Sequence, residues 1–131
     1  MAVLGLAVAA GGCAAPEATF LTPSGTAPTG VERGKRVFLS REQGHCVLCH
    51  SVPGVAEAGN VGPALAGVGS RLTADEIRYR IEDITRINPQ AVMPAFRRID
   101  GLQRVVPVHA DRPILSAPQL EDLVDYLASL K

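Results

Sequence analysis

The chain has 131 residues, enough for one small domain and too few for two with separate cores. Thirteen Lys and Arg balance thirteen Asp and Glu, so no field of one sign points to a nucleic-acid partner, and recognition has to come from a local patch. Hydrophobic residues reach 47% while aromatic residues stop at 4% with no Trp, a thin supply of large rings for a core. Thirteen Gly and ten Pro favour short helices joined by long ordered loops over a continuous bundle or a strand-rich sandwich.

Residues 1–13 read as an export signal. Ala2 to Ala10 is an apolar run with no charged residue before Glu17, far shorter than the ~20 residues of a membrane span. It matches a signal-peptide core, although the positive segment that normally precedes one is missing, as expected if the start lies upstream of Met1 or the chain is trimmed. Ala10-Gly11-Gly12 directly before Cys13 resemble a bacterial lipobox, in which the Cys becomes the lipidated first residue. Ordinary cleavage near Ala14 is the other reading. Both predict a periplasmic protein, and only the first attaches it to a membrane. Residues 14–30, with Pro16, Pro23, Pro28 and four Thr, lack apolar periodicity and predict a flexible leader. The folded domain is expected over residues 31–131.

A first helix is predicted over Val31–Ser40, with Val31, Gly34, Val37 and Phe38 on one stripe. Cys46-Val47-Leu48-Cys49-His50 follows. Covalent haem attachment needs two thiols at fixed separation to add across the vinyl groups, and an imidazole to meet the iron from the same side; this pentapeptide supplies all three. A zinc site would need two more soft ligands, and the rest of the domain offers no Cys and only His45 and His109 as spare imidazoles. A redox dithiol predicts a strand-then-helix unit that the surrounding sequence does not show. The reading is one covalently attached haem c, with Cys46 and Cys49 holding the porphyrin and His50 on the iron. A porphyrin at the centre would also make up for the missing aromatic rings.

Thr73-Ala74-Asp75-Glu76 forms a capping box, and Ile77, Ile81 and Ile84 continue an apolar helical face that should end before Asn88-Pro89. Met93, in Val92-Met93-Pro94, is the only Met besides Met1. Downstream of the haem motif and beside a stiffening Pro, it is placed to meet the iron from the opposite face. His109 competes in a polar turn, while His45 sits too close to the attachment site to reach round the ring. The segment from Arg97 to Pro113 is longer than a minimal haem domain needs; either it offers a partner face, with Arg97 and Arg98 as its charges, or it simply covers the haem edge. A last helix is predicted after Ser116, with Pro118 in its first turn and Leu120, Leu123, Val124, Leu127 and Leu130 toward the core. Tyr79 and Tyr126 are expected to pack rather than to carry electrons.

Asn60-Val61-Gly62-Pro63-Ala64-Leu65 resembles the Gly-Pro-x-Leu loop of small monohaem cytochromes c. That resemblance implies that Pro63, thirteen residues after His50, accepts the second ring N–H of the ligand His on its carbonyl. First and last helices that cross, with Gly34 allowing close approach, resemble class I cytochromes c, which implies an all-α fold of short helices wrapped around one haem.

Over about residues 32 to 131 the likeness becomes narrower. Gly67-Val68-Gly69-Ser70-Arg71-Leu72, Thr85-Arg86-Ile87-Asn88-Pro89, Val92-Met93-Pro94, Arg98-Ile99-Asp100-Gly101-Leu102 and Glu121-Asp122-Leu123-Val124-Asp125-Tyr126-Leu127, in this order, resemble SoxX, the monohaem subunit family of SoxAX cytochromes in sulfur-oxidising bacteria. The resemblance implies an electron-transfer subunit, without catalytic residues of its own, in a heterodimeric L-cysteine S-thiosulfotransferase. That enzyme joins thiosulfate to a carrier-protein cysteine and releases two electrons. It further implies a SoxA-like c-type cytochrome partner, the carrier protein reached through the complex, and a downstream acceptor cytochrome. A free-standing periplasmic electron shuttle is the competing function.

Overall fold

Helix α1 (Gly30–Leu39) opens on a capping box one residue earlier than the apolar pattern predicts. Thr29 Oγ1 accepts the Glu32 N–H at 3.2 Å, and the Glu32 carboxylate accepts the Thr29 N–H at 2.8 Å, satisfying two donors that a helix start otherwise leaves unpaired. The computed structural model describes Met1 and residues 27–103, 105–107 and 110–131. The export segment, Cys13, most of the leader and His109 lie outside the described residues.

A 3₁₀ turn spans Cys46–Leu48. Helix α2 (Val68–Arg71) is a single turn too short to show a periodic face, started by Gly67 in the left-handed region at φ 66°. Helix α3 (Ala74–Asp83) carries the Thr73–Glu76 capping box but stops sooner than the Ile77-Ile81-Ile84 face suggests. Asp83 takes an extended backbone and its side chain accepts the Thr85 N–H at 3.0 Å, starting a new 3₁₀ turn over Ile84–Arg86. A short polar side chain here offers the backbone an alternative to the helix. Helix α4 (Ala117–Ser129) follows Ser116, which forms a third capping box with Gln119. Among the described residues every regular element is helical.

The α1–α4 crossing is the centre of the fold. At Gly34 any side chain would run into the Asp122 carbonyl and the Tyr126 Cβ, so the missing Cβ is what lets the two backbones approach. Phe38 is completely enclosed and meets Tyr126 edge-on at 5.7 Å and 62°, a favoured aromatic geometry. Arg33 grips Asp122 with two bonds of 2.9 and 2.6 Å. Gly69 brings α2 against Ala128 in the same way, and Arg78 ties α3 to Glu121 with two bonds of 2.8 Å. Leu115, Leu123 and Val124 complete the enclosed centre, with Val37, Val47, Val52, Ile77, Ile81 and Phe96 around it. Tyr126 is buried as expected. Tyr79 is not: it is 44% exposed with the Arg86 guanidinium over its ring, because it lies off the Ile77–Ile81 stripe.

A candidate haem site

The end of α1 aims the attachment segment. Gly44 is buried against the Val37 carbonyl and the Cys46 sulfur, and His45 turns the chain in the left-handed region at φ 56°, where His is less disfavoured than most residues. The Leu48 N–H then reaches the His45 carbonyl at 3.0 Å and the His50 N–H reaches the Cys46 carbonyl at 2.9 Å. Val47 drops into the core, anchoring the turn between the two cysteines. Cys46 and Cys49 are both free thiols. Burial pushes the Cys46 thiol up to about 12, so it stays protonated, and it donates to the Gly44 carbonyl at 3.4 Å. His45 is exposed.

A second loop lies alongside this segment. Gly59, Gly62 and Leu65 donate to the carbonyls of Val47, Cys49 and Ser51 at 2.8, 2.8 and 2.9 Å. These bonds place Pro63 beside His50, and His50 Nδ1 lies 2.8 Å from the Pro63 carbonyl oxygen. A carbonyl only accepts, so Nδ1 carries the proton and Nε2 keeps its lone pair for a metal. Gly62 sits on the imidazole itself: a Cβ there would fall on Cε1, 2.7 Å from Nδ1 and 2.8 Å from Nε2. The glycine therefore fixes the ring plane by bare backbone contact, a role invisible in the Gly-Pro motif until the ring is in place.

Met93 arrives on a separate loop and packs half-buried against the core. That loop returns along the end of α3, with Phe96 and Arg97 N–H groups on the Ile81 and Glu82 carbonyls at 3.3 and 3.1 Å, and Leu115 N–H on the Phe96 carbonyl at 3.2 Å. Two unbridged thiols, an imidazole with Nε2 available and a thioether on another loop fit a covalently held haem.

Arg97 and Arg98 are both partly exposed and both engaged within the chain. Arg97 Nη1 donates to the Leu115 carbonyl at 2.7 Å. Arg98 Nη1 donates to Thr85 Oγ1 at 3.1 Å and to Asp83 Oδ2 at 3.4 Å. Both guanidiniums fasten the Met93 loop to its neighbours. Among its described residues the Arg97–Pro113 segment exposes apolar side chains beside Asp100, Asp111 and Arg112, and Ile99, Leu102 and Val105 line a depression of about 270 Å³ with Ala110 and Asp111. Asp83 is the buried acid of the region. The Thr85 hydroxyl, with the Thr85 N–H and the Arg98 and Arg86 charges, holds its carboxyl below the usual aspartate range.

The cytochrome c family profile matches residues 31–131. No curated protein matches the chain. In the crystal structure of SoxXA from P. pantotrophus, one chain is 34% identical over a match covering 80% of this chain and 84% of that one, with a TM-score of 0.72. The haem-attachment pentapeptide, the paired loop beside it and the α1–α4 crossing all lie inside the profile match. The chain belongs to the cytochrome c family and is a SoxX-type class I cytochrome, all-α, with one covalently bound haem c.

Proposed function

We propose that this chain is the electron-transfer subunit of a SoxAX-type L-cysteine S-thiosulfotransferase, exported to the periplasm and paired with a SoxA-like c-type cytochrome. The observation that carries the reading is the hydrogen bond from His50 to the Pro63 carbonyl, in a chain 34% identical to one of SoxXA. In this reading Cys46 and Cys49 would hold the haem by thioethers, and His50 and Met93 are the residues that would supply ligands to its iron.

The bound haem supplies a one-electron centre. The protein's part is to keep that centre closed and fixed. Pro63 sets the His50 tautomer and Gly62 its plane. Val47 locks the attachment turn to the core. Met93, on a loop stiffened by Pro94 and packed partly against the core, would occupy a ligand position and keep exogenous ligands out. With His50 and Met93 both serving the iron there would be no place for thiosulfate, and the sulfur chemistry would fall to the partner subunit and the carrier protein. Two electrons leave that reaction and this chain takes one at a time, which requires a second redox centre and a downstream acceptor cytochrome. Cys13 gives the exported chain a lipid anchor if the lipobox is used, and a free periplasmic form if cleavage falls near Ala14.

Native purification of the tagged protein from thiosulfate-grown cells tests the proposal. A second c-type cytochrome in equal amount, together with thiosulfate-dependent modification of a carrier cysteine, is the expected result. A monomer with one haem and no partner would replace this reading with a free-standing electron shuttle.

A further inference from the structure

The Met93 loop begins and ends at the same turn. At its start the N–H groups of Ile87 and Asn88 both reach the Ile84 carbonyl at 2.9 Å, and the Ala91 N–H reaches the Asn88 carbonyl at 3.0 Å. At its end the Phe96 and Arg97 N–H groups sit on the Ile81 and Glu82 carbonyls, and Arg98 Nη1 reaches back to Thr85 Oγ1 and Asp83 Oδ2 at 3.1 and 3.4 Å. Among the described residues no backbone hydrogen bond ties Val92, Met93, Pro94 or Ala95, and Val92 is 83% exposed. Apart from the packing of Met93 itself against the core, the thioether is carried on a span fixed at its two ends. We propose that Arg98, held by Asp83 and Thr85, is a positioning residue for Met93: it closes the loop and so sets how readily the thioether gives up its place as an iron ligand.

The closure converges on one buried acid. Asp83, 4% exposed, accepts the N–H and the hydroxyl of Thr85 on Oδ1 and Arg98 on Oδ2. One carboxylate therefore starts the 3₁₀ turn from which the loop departs and receives the side chain with which it returns. The early end of α3 makes this possible, because Asp83 leaves the helical backbone and caps the turn with its side chain. Hydrogen bonds between charged groups are stronger than neutral ones, and a buried carboxylate loses most when its cation is removed. Arg97 fastens the same end of the loop, but to the backbone carbonyl of Leu115. Arg78 makes the useful contrast: it grips Glu121 with two bonds of 2.8 Å, yet joins two helices and bonds no residue of the loop.

The proposal rests on Met93 serving the haem iron, and its test separates the two. The haem-loaded cytochrome is compared with its Arg98→Met, Arg98→Lys, Asp83→Asn and Arg78→Met variants. The affinity for added imidazole and the near-infrared methionine-to-iron band of the oxidised protein are measured for each. Imidazole enters only when Met93 is away, so its apparent affinity reports the open fraction. Arg98→Met should bind imidazole about tenfold tighter, the lower end for a charge-assisted bond because Arg98 is partly exposed. Arg98→Lys, which keeps the charge facing Asp83, should recover much of the parent's resistance. Asp83→Asn leaves an acceptor for Thr85 and removes the charge facing Arg98, and should tighten imidazole binding by less than Arg98→Met does. Arg78→Met should lower the unfolding midpoint and leave imidazole affinity at the parent's value. Parental affinity in both Arg98→Met and Asp83→Asn overturns the proposal, as does equal tightening in Arg78→Met, which would assign the effect to general loosening. A parent that lacks the methionine-to-iron band and binds imidazole as readily as Met93→Ala removes the ligand assignment, and the proposal with it.

Discussion

The helical half of this molecule and its loop half are held together by different means. Where α1, α3 and α4 meet, the structure is redundant: three capping boxes, two bidentate ion pairs and a continuous apolar core support one another. Around His50 each feature hangs on one contact. One carbonyl sets the ring tautomer, one glycine sets its plane, and one loop carries Met93. Apolar packing builds a stable frame, while a single hydrogen bond orients the His50 imidazole, because direction matters there more than quantity.

Mutations that break the frame should therefore act on folding, and those in the loops on spectrum and potential. The largest effect is expected at the crossing. Gly34→Val must displace the Asp122 carbonyl, backbone against backbone, and should cost more than the ~1–3 kcal/mol usual for overpacking. Phe38→Ala empties a completely enclosed site and should cost ~3–5 kcal/mol. Thermal or denaturant unfolding measures both; near-parental stability of Gly34→Val would mean that the helices do not cross on bare backbone.

In the loops, Met93→Ala should leave the fold standing and open the sixth position, giving a high-spin absorption spectrum and binding of added imidazole or cyanide. Met93→His should stay low-spin at a lower potential. An unchanged spectrum in Met93→Ala would remove Met93 as the ligand. Gly62→Ala is subtler, since its Cβ would press on the imidazole and tilt or displace His50. A shift in reduction potential with helicity unchanged is expected; no shift would mean that the ring plane is set elsewhere.

The same contrast decides what could be read in advance. Helices α3 and α4 were legible because a capping box and an apolar stripe are local patterns, and Cys46–His50 because covalent haem chemistry fixes its spacing. Helix α2 was not, since one turn started by a left-handed glycine has no stripe. The end of α3 was misjudged because Ile84 continues the apolar pattern while Asp83 breaks the backbone, and side-chain capping overrode periodicity. For Arg97 and Arg98 the sequence shows a charge but not its direction. Only the fold turns them inward, onto Leu115 and Asp83.

The smallest expected effect lies where the two halves meet, at Asp83. Asp83 as a whole is 4% exposed, and its carboxyl is held below the ordinary aspartate value of 3.8, first by the Thr85 hydroxyl, then by the Thr85 N–H and the charges of Arg98 and Arg86. The folded state therefore binds this proton less readily than the unfolded chain. The resulting stability is fully present above 3.8 and drains away as pH falls through the lower folded value. Asp83→Asn should remove that part of the acid dependence, leaving a shallower fall in denaturation midpoint below about pH 4. It should also lower stability slightly at neutral pH, because Arg98 loses a charged partner while the amide oxygen can still accept from Thr85. An acid limb as steep as the parent's would assign the dependence to other lowered carboxyls, Glu32 and Glu76 in the capping boxes and Glu121 beside Arg78, and so place it in the frame rather than at the junction.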